Sequence, residues 1–303
     1  MPDVLSSGEF YSLMCALIWA AAVIMFRKSG ERVPPLALNF FKDTIACVLL
    51  LCTLPLLGRP LFSEEYGWKK WLTLLVSGAL GIGIADTLFF ASLNRLGAVG
   101  SAIVDSLYSP FVVFSAFVYL GEPLRLPVVV GAALMVAAII VGTAEQPSEQ
   151  AAEAPPPNAR RTALGIILGV ISMALMALGI VIAKPVLNVV DPWWAATVRV
   201  VGGLAFLIVQ VILSKQRKAV LACFRPQRVW RYSVPAAVFG AYLSMVIWVM
   251  GFKYTSAGVA GVLNQMSSIF VLILAAIFLK ERVTLRKALA IGMAFVGAVT
   301  VVM

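Results

Sequence analysis

Five charged side chains stand deep inside long apolar stretches of this 303-residue chain, and they are the residues best placed to do chemistry. They are Lys42, Asp43, Asp86, Asp105 and Arg199. A charge at the centre of a membrane helix costs roughly 2.5–3.5 kcal/mol, so such groups face the interior of a helix bundle or a water-filled cavity. Carboxyl groups can exchange protons, and cationic groups can bind a carboxylate or a phosphate. The set therefore predicts a site that handles polar or charged solutes.

Asp105 belongs to a stripe of polar residues that share one face of an α-helix. The stripe comprises Ser101, Asp105, Tyr108, Ser109 and Tyr119. At about 100° per residue these positions point the same way. Such a stripe lines water or substrate, or its hydroxyl groups bond to a neighbouring helix. Because it contains a carboxyl group, we predict that Asp105, Tyr108 and Ser109 bind substrate. Asp105 and Asp86 are the candidates for proton exchange.

A second polar stripe has amides where the first has a carboxylate. It comprises Asn264, Ser267 and Ser268, with Gln265 beside them. We predict that Asn264 and Ser268 bind substrate from this side. The expected site is chemically asymmetric, since one wall can become anionic and the other offers neutral hydrogen-bond donors and acceptors.

Lys42 and Arg199 occupy equivalent places, each seven residues after a proline. Lys42 is expected to act as an internal counter-ion of Asp86 or Asp105, because a bare buried charge is costly. Neighbouring Lys42 and Asp43 point about 100° apart on a helix, so we expect them not to pair. For Arg199 two roles stay open: a counter-ion, or a ligand for a substrate carboxylate or phosphate.

Two tryptophans lie in the middle of apolar stretches, away from the membrane interface that tryptophan prefers. Trp19 and Trp248 are therefore predicted to form walls that stack on a flat or apolar part of the substrate. The alternative is plain helix packing.

The overall composition places these residues in a membrane protein. The chain is 61% hydrophobic and only 13% charged, with a mean hydropathy of +0.98. A soluble chain of this length could not hide so much apolar surface. The net charge of +10 comes from basic residues between apolar runs, which is typical of membrane loops and not of a nucleic-acid binder. The composition excludes a soluble enzyme and a disordered scaffold.

Histidine is absent from the whole sequence, and the four cysteines show no CxxC spacing. These absences disfavour histidine-based catalysis, a metal centre and a bound cofactor. A membrane-embedded enzyme would need a nucleophile with a base or a cluster of carboxylates, and neither is evident. We expect no catalytic residues, no metal and no cofactor.

The apolar stretches predict an all-α polytopic protein with ten transmembrane helices. They cover 9–27, 34–57, 69–93, 98–119, 124–143, 162–186, 191–214, 231–252, 257–279 and 284–302. Residues 144–161 are rich in proline, alanine and glutamate and predict a flexible linker. We therefore divide the chain into a five-helix unit at 1–143, the linker at 144–161 and a second five-helix unit at 162–303.

The two units repeat each other. Shifted by 159 residues, 98–126 aligns with 257–285, so that Asp105 falls on Asn264 and Glu122 on Glu281. A shift of 157 aligns the earlier part, with Lys42 on Arg199. Because five is odd, the units must lie upside down to one another in the membrane. Inverted repeats are a recurring plan of secondary transporters, with the substrate site at the repeat interface.

Three stretches carry a resemblance to a known family. They are WAAAVIMFR at 19–27, LNRLGAVGSAIVDSLYSPFVVFSAFVYLGEPLRLPVVVGAALMVAAIIVG at 93–142 and FKYTSAGVAGVLNQMSSIFVLILAAIFLKERVTLRKALAIGMAFVGAV at 252–299. The chain resembles the drug/metabolite transporter superfamily in its ten-helix EamA-type branch. The resemblance implies a carrier of small metabolites, in which helices one to four of each half line a central cavity.

The residues and the resemblance together lead to a functional hypothesis. We expect a secondary active transporter that exports amino acids or similar small polar metabolites in exchange for protons, in the bacterial inner membrane. The alternative is an uptake or exchange carrier for a larger aromatic or vitamin-like metabolite or a drug. The expected partners are a small-molecule substrate and the lipid bilayer, with no nucleic acid. The loop charges favour external termini and the resemblance favours cytoplasmic ones, so the orientation stays open.

Overall fold

The computed structural model describes residues 7–30, 33–62, 66–143, 159–278 and 285–302, and these residues form helices joined by short turns. The helices are α1 (Gly8–Gly30), α2 (Pro35–Leu56), α3 (Trp68–Gly78), π1 (Ala79–Ala85), α4 (Asp86–Asp105), α5 (Tyr108–Leu120), α6 (Leu126–Thr143), α7 (Ala159–Leu187), α8 (Pro192–Leu213), α9 (Arg217–Ala222), α10 (Trp230–Ala236), π2 (Ala237–Leu243), α11 (Ser244–Tyr254), α12 (Ala257–Asn264), α13 (Met266–Phe278) and α14 (Leu285–Val302). No strand occurs among them.

The protein is an all-α polytopic membrane protein. Within the described ranges, six helical runs are long and apolar enough to cross a membrane. These runs are Gly8–Gly30, Pro35–Leu56, Trp68–Leu96, Arg160–Leu187, Pro192–Leu213 and Trp230–Tyr254. Four shorter apolar helices cover Tyr108–Leu120, Leu126–Ala138, Ala257–Val271 and Gly292–Val301. The count of ten spans and the division into two inverted units stay predictions. Most of the expected linker, 144–158, lies outside the described residues.

The expected gap between the third and fourth spans is not a break in the structure. Helix α4 continues from Asp86 to Asp105 through residues 93–98. The gap at 94–97 contains Gly97 but no proline, and a helix tolerates a glycine because it keeps its backbone N–H, so the ladder of i→i−4 hydrogen bonds can continue. The matching place in the second half does break. There Thr255 is extended, and the hydroxyl of Ser256 accepts a bond from the backbone N–H of Val259 and begins α12.

Two π-helical segments interrupt long helices at equivalent places. Residues 79–85 and 237–243 each form one, and the second follows the first by 158 residues. The i→i+5 bonds of a π-segment widen the helix by about one residue per turn, and such segments are frequent at functional sites. Each segment contains a glycine near its middle: Gly81 is the third residue of the first segment and Gly240 the fourth of the second.

Glycines bring the two halves of the chain into main-chain contact. A Cβ atom added to Gly78 at the end of α3 would overlap the carbonyl group of Arg199 on α8. A Cβ added to Gly202 on α8 would likewise overlap the main chain of Leu75 on α3. These two glycines therefore set a helix crossing that only a residue without a side chain permits. The crossing holds Arg199 at a defined depth beside π1.

Candidate functional site

A single cavity of about 110 Å³ brings together most of the residues that the sequence singles out. Its lining includes Trp19, Lys42, Asp86, Asp105, Tyr108, Arg199, Trp248 and Asn264. The wall is built by α1, α2, π1, α4 and α5 from the first half, and by α7, α8, π2, α11, α12 and α13 from the second. Both halves thus contribute charged and aromatic side chains to one cavity.

Two helix breaks meet at this cavity. Helix α4 ends at Asp105 and α5 begins at Tyr108, while α12 ends at Asn264 and α13 begins at Met266. Each break is a tightened turn, in which Leu107 donates to Val104 and Gln265 donates to Val262, both at 3.1 Å between N and O. Interrupted helices are a common way for transporters to present polar groups in the membrane.

The two breaks also bond to each other. The Nε2 atom of Gln265 donates to the backbone carbonyl of Asp105 at 2.8 Å. The hydroxyl of Ser268 donates to Oδ2 of Asp105 at 3.4 Å. In the described part of the chain, no lysine or arginine lies within ion-pair distance of the Asp105 carboxylate. Its carboxyl group therefore lines the cavity with no cationic partner among the described residues.

Lys42 lies between two carboxylates. Its Nζ atom is 2.8 Å from Oδ2 of Asp86 and 2.8 Å from Oδ1 of Asp43, and the lysine is 2% exposed. The expectation that Lys42 and Asp43 do not pair is wrong. The Cβ directions do differ by about 100°, but the four-carbon lysine chain is long enough to bend back over its own helix. The bond to Asp86 makes Lys42 a counter-ion.

Arg199 is a buried guanidinium group with few partners. One nitrogen, Nη1, bonds to the hydroxyl of Ser77, which in turn donates to the carbonyl of Gly179 at 2.5 Å. The guanidinium carbon lies 5.0 Å from the ring centroid of Trp248, in cation–π contact. The Nε atom has no hydrogen-bond partner among the described residues. No carboxylate of that part of the chain pairs with it either.

The aromatic residues form an apolar wall. Trp248 packs edge-on against Phe252, with ring centroids 5.0 Å apart, and Trp19 lies 6.1 Å from Phe26. The hydroxyl of Tyr108 is buried and has no hydrogen-bond partner in the described chain. A solute in the cavity would meet this hydroxyl and the face of Trp248 beside Arg199.

Three residues of the expected polar stripes do not line the cavity. Ser109 is fully buried on α5, and its hydroxyl has no partner among the described residues. Ser268 contacts the Asp105 carboxylate instead of the cavity. Tyr119 is 65% exposed on the outer surface. The stripe assumed one unbroken helix, whereas the turn at 106–107 separates Asp105 from the residues that follow.

Sequence reasoning missed several lining residues because they carry no polar signal. Met176, Met245 and Phe89 are apolar side chains like many others in the chain. Gly81 and Gly240 line the cavity through the two π-segments. Gly78 and Gly83 pack closely against α8, where an added Cβ would overlap Arg199 and Phe206, and Gly81 lies in π1.

Glu122 caps a helix that belongs to the other half of the protein. Its carboxylate accepts bonds from the backbone N–H groups of Ala257 at 2.9 Å and Gly258 at 3.2 Å, at the start of α12. A carboxylate at a helix N-terminus is stabilising because the free N–H groups and the helix dipole favour negative charge there. The matching Glu281 lies outside the described residues.

Comparisons with known proteins agree with this architecture. A family model for EamA-like transporters matches residues 6–143 and 163–303. Two curated proteins of Archaeoglobus fulgidus, both described as uncharacterized transporters, are similar to parts of the chain. One is 31% identical over 137 residues, which is 45% of this chain and 48% of that protein. The other is 45% identical over 64 residues, which is 21% of this chain and 23% of that protein. The matched segments thus span less than half of these relatives.

A solved crystal structure resembles the whole molecule. It covers 97% of this chain and 95% of its own, with a TM-score of 0.74 and 18% sequence identity. At this identity the likeness concerns the fold alone.

Proposed function

The chain belongs to the EamA-like transporter family, and from this membership we propose that it exports amino acids or similar small polar metabolites in exchange for protons. A transporter role follows from the family. The class of substrate, the coupling to protons and the direction are our proposal, as is the bacterial inner membrane as its location. The proposed arrangement is two inverted five-helix units around the cavity.

One observation carries the proposed substrate class. The cavity contains a guanidinium group on Arg199 and a carboxylate on Asp105, and neither has an ion-pair partner among the described residues. Lys42 and Asp86, the other charged lining residues, are paired with each other. A free amino acid offers a carboxylate for Arg199 and an ammonium group for Asp105. An arginine can bind a carboxylate through two parallel hydrogen bonds.

The size of the cavity favours a small solute over a large one. Its volume is about 110 Å³. Pockets for drug-sized ligands occupy roughly 300–1,000 Å³. A vitamin-like metabolite or a drug would need a much larger space, whereas a small amino acid needs little rearrangement. The aromatic wall around Trp248 can accept an apolar side chain.

The sequence has no Walker motif, so we propose that a gradient drives export, and a proton gradient is our choice. The carboxyl groups of Asp86 and Asp105 are the lining residues that can take up and release a proton. We assign Asp105 to the substrate ammonium group and Asp86, which holds Lys42, to proton exchange. This assignment leaves one proton-exchanging carboxyl group in contact with the cavity.

The test is a thermal-shift screen of the purified protein against the twenty standard L-amino acids, followed by transport in proteoliposomes. A ligand of the folded state raises the unfolding temperature. We expect the best ligand to show counterflow, and its amide and its decarboxylated amine to be much weaker. A pH gradient should drive its accumulation. If amines or carboxylic acids bind as well as the amino acid, the two-charge site is wrong.

A further inference from the structure

Two buried residues that lie one helical turn apart on α2 each have a side-chain oxygen atom without a hydrogen-bond partner among the described residues. These atoms are Oδ1 of Asn39 and Oδ2 of Asp43, on residues that are both fully buried. In the part of the chain that the structure describes, no donor reaches either atom. Residues four apart on a helix are neighbours on the same face. Since buried polar atoms are nearly always hydrogen-bonded, two adjacent exceptions call for one shared explanation.

The remaining atoms of both side chains are engaged, and this determines what is missing. The Nδ2 atom of Asn39 donates to the carbonyl of Ile82 at 2.9 Å and to the hydroxyl of Thr87 at 3.0 Å. This orients the amide so that Oδ1 is the free end. Oδ1 of Asp43 accepts from Lys42 at 2.8 Å. Both free atoms are therefore acceptors, and two acceptors can be joined only through a proton, a donor or a cation.

The charges around the pair do not balance. One ammonium group, on Lys42, is shared by the carboxylates of Asp43 and Asp86. Arg199 lines the same cavity as Asp86 but forms no ion pair with it among the described residues, and Cys47 lies one helical turn beyond Asp43 on α2. Around the cavity the two cations Lys42 and Arg199 stand against the three carboxylates of Asp43, Asp86 and Asp105, so one excess negative charge remains when all five groups are ionised. Such an excess is costly unless it is neutralised.

We propose that Asp43 carries a proton on Oδ2 and donates it to Oδ1 of Asn39, and that this is the proton exchanged during transport. One proton satisfies both orphan atoms and removes the excess charge. Oδ1 of the neutral acid still accepts from Lys42, as observed. Asp43 does not line the cavity, whereas Lys42 and Asp86 do. When the proton leaves through Asp86 to water in the cavity, Lys42 moves toward the newly charged Asp43. When a proton returns, Lys42 moves back to Asp86.

The location of the proton is tested without any substrate. Infrared spectra of the protein in lipid nanodiscs, recorded at neutral pH in H2O and D2O, detect the carbonyl stretch of a protonated carboxyl group. We expect this band in the parent, shifted in D2O, lost in Asp43→Asn and retained in the matched control Asp105→Asn. A parent without the band overturns the proposal, and so does a band that survives in Asp43→Asn.

A second variant keeps the test decisive if Asp43→Asn does not fold. Asn39→Leu removes the acceptor, so the band of the parent should move to higher frequency. An unmoved band in folded Asn39→Leu overturns the pairing of Asn39 with Asp43. A sodium ion is the competing occupant. If sodium chloride raises the unfolding temperature where choline chloride does not, and the band is absent, the site holds sodium and the proposal is wrong.

The coupling role rests on the proposed function, and a separate measurement tests it. In proteoliposomes we expect Asp43→Asn to lose accumulation driven by a pH gradient and to keep counterflow. If Asp43→Asn accumulates substrate normally after its infrared band is lost, the proton is structural and the coupling role is wrong. If the parent transports no amino acid, the proposed function fails while the infrared result stands.

Discussion

Asp105 and Asn264 each end a helix that breaks beside the cavity, and they stand 159 residues apart at matching places of the two repeats. The breaks contact each other, since Gln265 and Ser268 both bond to Asp105. The repeat seen in the residue pattern is thus also a repeat of local backbone structure. It places a carboxylate and an amide on the same cavity, where only the carboxylate can pair with an ammonium group.

Replacing the two cavity carboxylates should separate binding from coupling. We expect Asp105→Asn to weaken amino-acid binding by roughly 10- to 100-fold, because a charge-assisted hydrogen bond contributes about 1.5–3 kcal/mol. Asp86→Asn should keep binding and lose accumulation driven by a pH gradient. Thermal shifts and proteoliposome uptake measure the two effects. The assignment is wrong if the two variants exchange phenotypes, and proton transfer through Asp86 or Asp105 is wrong if both behave like the parent.

Arg199 offers a test of carboxylate recognition. We expect Arg199→Gln to abolish the difference between an amino acid and its decarboxylated amine, since the cavity then lacks a cation that is free to pair. Arg199→Lys should restore part of the affinity, because it keeps the charge but loses the planar two-point geometry. The control is Ser77→Ala, which removes the bond that positions Nη1 without removing charge. Equal affinity of the parent for both ligands would contradict this role.

Gly78 should tolerate no side chain. Gly78→Ala places a methyl group on the main chain of Arg199. We expect it to lower the free energy of unfolding by about 1–3 kcal/mol or more, because neither backbone can move aside. The matched control is Gly292→Ala on α14, where an added Cβ meets nothing within 4 Å. Helix propensity favours that change by up to about 1 kcal/mol. The two variants are compared by their unfolding temperatures in the same detergent. An equal effect of both would refute the close crossing.

Glu122 lies in the first half of the protein and should stabilise the start of α12 in the second half. We expect Glu122→Ala to cost about 0.5–2 kcal/mol, because two N–H groups at the start of α12 lose their acceptor. The nearby exposed Arg125→Ala is the control and should change the unfolding temperature little. Hydrogen exchange should report the loss at Ala257 and Gly258. Unchanged exchange there would show that the cap is not formed in the membrane.

The sequence predicts much of the site because membrane burial makes charge conspicuous. Lys42, Asp86, Asp105 and Arg199 were identified as charges inside apolar runs, and the structure places all four on one cavity. The same reasoning could not show that Asn39 and Asp43 share unpartnered atoms. That relationship depends on which end of the Asn39 amide faces π1, and the types of the residues do not determine this orientation.

The residue pattern could not predict the two π-segments or the pairing of Lys42 with Asp43, for a different reason. Helical periodicity assumes 3.6 residues per turn, and a π-segment departs from that spacing without needing special residue types. Residues after Ala85 are therefore rotated relative to those before Ala79. Directions from Cβ atoms likewise describe short side chains well and a lysine poorly, which explains the wrong expectation for Lys42 and Asp43.

Helices α3 and α8 cross through Gly78 and Gly202, so the packing of these helices and the substrate selectivity of the cavity depend on different atoms. Because this contact is made by main-chain atoms, its distance does not depend on the size or polarity of any side chain nearby. Lining residues such as Met176, Met245 and Trp248 can therefore be exchanged while the two helices keep their spacing. A framework of this kind lets substrate preference be redesigned at the cavity, one side chain at a time, with Arg199 held where a carboxylate can reach it.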